Sequence, residues 1–282
     1  MKRWCILGWI LLAACRQVDT PVEPRLVVEG WIENGGAPVV KVSESIGVQV
    51  GQEFSMSDLA ACLAQDAVVT VSDGEKTVTL EGKLDFTVFP PYRYTTDEMV
   101  GETGRTYTLR VEYKDYVATA ETTIPAPVPI EKLYVREINE GKGVVVCGFT
   151  DPAGAGNCYK VFVKTIGKDS EYSSAVFALV SDENLHGYTE LSVFSTLRLQ
   201  DMWAQPNLEE YDRLYVKLCT MTPESFRFWD AFERKVMGNA MKLRATDSVD
   251  DSTLRGAQGY WIGYGVDAVR EIKVIAPSSG AE

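Results

Sequence analysis

Residues 104–124, GRTYTLRVEYKDYVATAETTI, constrain the fold most. Tyr107, Leu109, Val111 and Tyr113 fall on one side of an extended chain, with Thr106, Thr108, Arg110 and Glu112 on the other. Successive strand side chains point to opposite faces, so this period of two demands a sheet with one face buried and one wet. The run reverses at Lys114-Asp115, which predicts a hairpin.

Most of the chain has the same grain: apolar or alternating stretches of five to eight residues that stop at Gly, Pro or Asp. Strands are predicted at 25–32 and 38–44, joined through Asn34-Gly35-Gly36. A second hairpin is predicted over 66–82 with Asp73-Gly74 at its tip, residue types that accept positive φ. A short helix is expected within 56–65, capped by Ser57, with Leu59, Cys62 and Leu63 at helical spacing. Ile124 to Ile130 (IPAPVPI) carries prolines at alternate positions, which stiffen a chain and remove sheet donors. This segment, 125–130, is read as a linker between an N-terminal β-sandwich at 25–124 and a C-terminal β-rich domain at 131–282.

Further strands are predicted at 131–138, 143–149, 158–166, 174–180 and 213–221, and the segment 260–275 is expected to continue the second sheet. One helix, 223–237, interrupts them. Thr222 caps it, Pro223 takes its first position and Gly238 ends it. Phe226, Trp229, Phe232/Glu233 and Val236 form a stripe facing a core. The region 182–212, including Trp203, reads as irregular with a strand near 190–199. The expected class is mainly β: two tandem β-sandwich domains, the first Ig-like or carboxypeptidase-regulatory-like, the second with one amphipathic helix.

The N-terminus carries a separate signal. Lys2 and Arg3 precede an apolar run from Trp4 to Ala14, too short for the ~20 residues of a membrane span. A basic start, a short apolar core and small residues before a break describe an export signal, 1–14. Leu12-Ala13-Ala14-Cys15 resembles a bacterial lipobox, which implies lipidation at Cys15 and a tether over 15–24. A diacylglycerol and an N-acyl chain together anchor stably where a single acyl chain does not. Asp19 and Glu23 come late for a surface-export signal, so the surface and periplasmic faces of the outer membrane both stay open.

Charge narrows the partners. The net charge of −12 becomes −14 once Lys2 and Arg3 are removed with the leader. Nucleic-acid binding rests on cations against phosphate, so it is excluded, and so is polybasic contact with anionic lipid. Four cysteines remain after Cys5 and Cys15: Cys62, Cys147, Cys158 and Cys219. Buried thiols are expected, with Cys147 paired to Cys158 or Cys219 as the disulfide alternative. His186 is the only histidine. It sits among loop formers, and zinc sites built on paired histidines are excluded. No nucleophile elbow or phosphate loop is present, and GYWIGYG (259–265) reads as a tight aromatic β segment. Asp247, Asp250 and Asp251 supply oxygen ligands for a weak Ca²⁺ candidate, though without EF-hand spacing, and an exposed acidic loop is the preferred reading. No catalytic residue, metal or cofactor is assigned. The expectation is a protein that is not an enzyme.

Five stretches together resemble a known family: ILLAAC, LVVEGWI, the run GRTYTLRVEY to YVATAETTIPAPVPI, FTDPAGAGNCYKV and GAQGYWIGYG. They are similar to the Bacteroidetes outer-membrane lipoproteins grouped as domain of unknown function 4249. The family's aspartate-proline-glycine turn stands here as Asp151-Pro152-Ala153-Gly154. The resemblance implies an accessory to a TonB-dependent outer-membrane transporter. An adhesion or spacer lipoprotein is the alternative, and a surface hydrolase a further one. No ligand-binding residues carry over.

Overall fold

The structure, a computed structural model, describes residues 24–45, 55–139, 142–154, 156–185, 187–193, 212–240 and 252–274. Its first half contains β1 (Leu26–Glu33), β2 (Val39–Glu44), α1 (Met56–Cys62), β3 (Val68–Ser72), β4 (Thr77–Thr79), β5 (Glu81–Leu84), β6 (Tyr92–Thr95), β7 (Thr106–Tyr113) and β8 (Tyr116–Thr123). The second half adds β9 (Lys132–Asn139), β10 (Lys142–Thr150), β11 (Cys158–Thr165), β12 (Ser173–Ser181), β13 (Tyr188–Val193), β14 (Arg213–Met221), α2 (Pro223–Ala240), β15 (Gln258–Tyr264) and β16 (Arg270–Lys273). The protein is mainly β, built as two sandwiches.

In the first sandwich a sheet ordered β15-β1-β2-β6-β5 faces one ordered β4-β3-β7-β8. The predicted alternation of β7 holds: Tyr107, Leu109, Val111 and Tyr113 are buried while Arg110 and Glu112 are exposed. Lys114 makes the hairpin turn in the left-handed conformation, φ 50°. The 66–82 prediction splits. β3 and β4 pair around Gly74, then Leu80 is buried as the chain crosses and β5 joins the other sheet. The cap of α1 is Ser55, not Ser57. Ser55 Oγ accepts from Asp58 N, and Asp58 accepts from Ser55 N, a capping box that the Ser57 reading overlooked.

In the second sandwich a β13-β10-β9 sheet faces β12-β11-β14-β16 over a core that includes Phe149, Tyr159, Val161, Val216 and Leu218. Thr222 does cap α2, accepting from Ser225 N at 3.3 Å. The helix runs past Gly238 to Ala240, because a glycine weakens a helix without being bound to stop it. Trp229 is buried and Phe226 half-buried, whereas Phe232 is 43% exposed; the side chain of Val236 lies outside the described residues.

One segment departs from the expected topology. Residues 258–264, expected in the second sheet, form β15 in the first, parallel to β1 with Val28 beside Gly259 and Ile32 beside Gly263. Residues 270–273 then return to the second sandwich as β16, antiparallel to β14. Trp261 explains the excursion. Its side chain is fully buried in the first core and its Nε1–H donates to Tyr107 O at 3.0 Å. Gly30 makes the seat, since a Cβ there would lie 2.8 Å from the indole. On the outer edge of β15, Thr253 Oγ1 accepts from Trp261 N and Thr122 Oγ1 from Gly263 N, which leaves little edge for strand addition.

The proline segment is packed into both cores. Ile124 is buried in the first core, Val128 and Ile130 in the second. Thr220 and Gly265 exchange two backbone hydrogen bonds beside it, and Thr220 Oγ1 donates to Ala126 O at 2.9 Å. Asn34 clasps Val266 through both ends of its amide.

Candidate functional site

A third apolar cluster lies between the sandwiches. The outward faces of β1 and β15 give Trp31, Tyr260, Ile262 and Tyr264; β11 and β14 give Cys158, Phe162, Cys219 and Met221; α2 adds Phe226, Phe228 and Trp229. Strands β11 and β14 are therefore buried on both faces, one toward their own sandwich core and one toward this seam. Trp229 Nε1 donates to Tyr264 Oη at 2.8 Å, joining helix to strand.

Three buried lysines sit in or beside the seam, each ion-paired to a glutamate of another element. Lys160 of β11, fully buried, binds Glu233 of α2, with its ammonium 4.7 Å from the Trp229 ring centre. Lys217 of β14 binds Glu33 of β1 and stands 4.5 Å from the Tyr172 ring. Lys41 of β2 contacts Glu171 at 2.7 Å and Phe89 O at 2.9 Å, while the second Glu171 oxygen accepts from Phe89 N. Two of these pairs, Lys217–Glu33 and Lys41–Glu171, cross between the halves. Buried charge without a partner is costly, so each pair ties its two elements to one register.

The surroundings set the titration. Burial holds the Lys160 amine below the usual lysine value, with Glu233 opposing that. Burial also disfavours the charge of Lys217, but the Glu33 carboxylate ion-paired with it opposes this, and its pKa is raised. A buried amine of lowered pKa is a nucleophile in many sites. Lys160 has no exposed surface, and Glu233 and the Trp229 ring enclose its head, so its role here is a latch. Glu29, on the same outer face of β1, is raised by burial and by Glu171, against the lowering pull of Lys41. A carboxyl whose folded pKa is raised binds its proton more tightly in the folded state, so its ionisation costs stability as pH rises. Glu29→Gln is accordingly expected to stabilise the protein near pH 7, with the gain fading below about pH 4, where Glu29 is protonated in both states. Urea unfolding at the two pH values measures it.

An exposed platform lies on the outer face of β9, β10 and β13. The hydroxyls of Tyr134 and Tyr188 converge on the Glu190 carboxylate at 2.9 and 3.1 Å. Tyr188 lies across Gly148, where a Cβ would come within 2.2 Å of its hydroxyl oxygen, and is 42% exposed. The Lys132 ammonium is 5.1 Å from the Tyr188 ring, and Arg136 donates to Ser192 at 2.7 Å. Rings, a carboxylate and cations thus share one solvent-facing sheet surface.

Cys15, His186, Trp203 and the acidic trio Asp247, Asp250 and Asp251 lie outside the described residues. The thiols Cys147, Cys158 and Cys219 are buried and carry no disulfide. This is the expected state of buried thiols: Cys147 points into the second core whereas Cys158 and Cys219 point into the seam, so the sheet separates the partners of the disulfide alternative. Burial pushes Cys147 and Cys219 up to about 12 and Cys158 up to about 11, which keeps them protonated. Sequence reasoning missed the seam lysines. The signal was a lysine inside strands apolar on both faces, CYKVFV and YVKLC.

A family profile described as "Domain of unknown function (DUF4249)" matches residues 17–249. No curated protein matches the chain. Among solved structures, a cytokine receptor complex is 9% identical with TM-score 0.26, covering 89% of this chain and 98% of that one. The FN1–FN3 domains of chicken CNTN1 are 12% identical with TM-score 0.26, covering 89% and 67%. A two-domain fibronectin type III segment of chicken tenascin is 13% identical with TM-score 0.22, covering 70% and 90%. Likenesses of that size carry no argument.

Proposed function

Since the chain belongs to the DUF4249 family, a domain of unknown function, we propose that it is a Bacteroidetes lipoprotein, anchored at the outer membrane through Cys15, that serves as a binding accessory to a TonB-dependent transporter. It works without catalysis and without a cofactor. The supporting observation is the Tyr134–Tyr188–Glu190 platform on a scaffold whose two sandwiches are cross-latched. Aromatic rings with polar edges give contact area at low entropic cost, which suits recognition.

Affinity capture of the tagged mature lipoprotein from native membranes tests this. Recovery of an outer-membrane β-barrel transporter is expected, reduced by Tyr188→Ala with Glu190→Ala. Repeated capture without any transporter would end the proposal. Cys15→Ala is expected to move the protein almost completely out of the membrane fraction. The cross-latched tandem also suits the second reading, an adhesion or spacer lipoprotein. A deletion strain that loses attachment while keeping nutrient uptake would favour it.

A further inference from the structure

One end of the first sandwich gathers exposed apolar side chains. Leu84, the last residue of β5, and Phe86 and Phe89 of the loop between β5 and β6 are 61%, 81% and 66% exposed. Register fixes where it lies. Glu44 pairs with Leu26, and β6 runs antiparallel to β2 from Val40 beside Tyr94, so the residues before Tyr92 emerge at the end where β1 begins. Val68 opens β3 and Val117 lies at the start of β8; both pair with Glu112, and they are 50% and 47% exposed. The neighbouring β7–β8 turn reaches this end too, through Lys114 bound to Glu44 at 2.7 Å. Five of the nine exposed large apolar side chains among the described residues therefore share this end.

The N-terminal chain enters at the same place. Tyr116 Oη donates to Pro24 O at 2.8 Å, holding the first described residue against the start of β8. The linker to the second half leaves from the opposite end, where Thr123 pairs with Thr106. Nine residues from Cys15 to Pro24 reach about 30 Å at full extension. Three strand spacings from β1 to β5 are about 15 Å. We propose that this end docks on the bilayer, with Leu84, Phe86 and Phe89 entering the headgroup and acyl boundary as a second, non-covalent contact. The proposal rests on the anchor reading for its orientation, but its chemistry does not need the acyl chains. The charges at this end are mixed, with Arg25, Lys83, Arg93 and Lys114 beside Glu44, Asp85, Glu112 and Asp115, so the matching surface is zwitterionic. The net charge disfavours anionic lipid. Backbone atoms of Phe89 hold Glu171 and Lys41, so its ring is left to the solvent side and is replaceable.

The test is flotation of the mature chain from Cys15 onward, prepared without acyl groups, with phosphatidylethanolamine–phosphatidylcholine vesicles. Measurable partitioning is expected, and Phe86→Ser with Phe89→Ser should weaken it about tenfold or more. Circular dichroism confirms that the variant stays folded. Equal partitioning of variant and parent, or none for either, overturns the proposal, as does binding to solubilised outer-membrane proteins that is lost in the variant while neither floats with lipid. Failure here leaves the Cys15 anchor standing, because that is read separately from acylated protein in membrane fractions.

Discussion

Trp261→Ala is expected to lower stability by about 3–5 kcal/mol, the range for emptying a buried tryptophan site. The indole is fully buried, packs on the Cα of Gly30, and its Nε1–H satisfies the Tyr107 carbonyl. Truncation leaves a cavity and removes the indole's hydrogen bond to the β7 backbone, and both effects destabilise. The consequence reaches beyond the first core. On the opposite face of β15, Ile262 and Tyr264 form part of the seam, so loosening one face loosens both sandwiches. Trp261→Phe should lose less, chiefly the hydrogen bond. Denaturant midpoints at unchanged slope measure the difference. A loss under about 1 kcal/mol for Trp261→Ala would mean that β15 is not part of the core.

The second large effect concerns Lys160 and Glu233. Removing one partner of a buried ion pair costs about 3–5 kcal/mol, because the remaining charge is stranded. For Glu233→Ala the cost is expected toward the lower end, since Lys160 can shed its proton and keeps the Trp229 ring. That escape has a pH signature. Glu233 opposes the lowering of the Lys160 pKa, so its loss lowers that pKa further. The unfolded lysine then holds a proton that the folded one lacks. Stability of Glu233→Ala therefore rises with pH more steeply than that of the parent, up to the ordinary lysine value of about 10.4. Lys160→Met with Glu233→Leu removes both charges and is expected to be near neutral or stabilising. If both Glu233→Ala and the double variant are silent, the pair is not buried in solution.

Some of this was readable in the sequence, and the boundary has a physical origin. β7 and β8 were legible because one face is buried and the other wet, so composition itself alternates. β11 was legible as a strand but not as a strand buried on both sides. Its Lys160 falls on what a period-two reading assigns to solvent, and only the distant α2, through Glu233, makes burial tolerable. β15 was legible as an aromatic strand too. Its partner, more than two hundred residues earlier in sequence, was not, because no local pattern encodes a parallel neighbour. The same holds for the platform: Tyr134 and Tyr188 meet at Glu190 only through the pairing of β10 with both β9 and β13. The β5–β6 loop has no periodicity, so its exposed phenylalanines gave no signal in a search for elements.

The central structural claim is that β15, the seam pairs and the packed proline segment make the two sandwiches one cooperative unit. Differential scanning calorimetry of the mature chain tests it most directly. The expected result is one transition, with calorimetric and van't Hoff enthalpies equal and a single midpoint that Trp261→Ala shifts downward as a whole. Two resolved transitions, with Trp261→Ala moving only one of them, would contradict it.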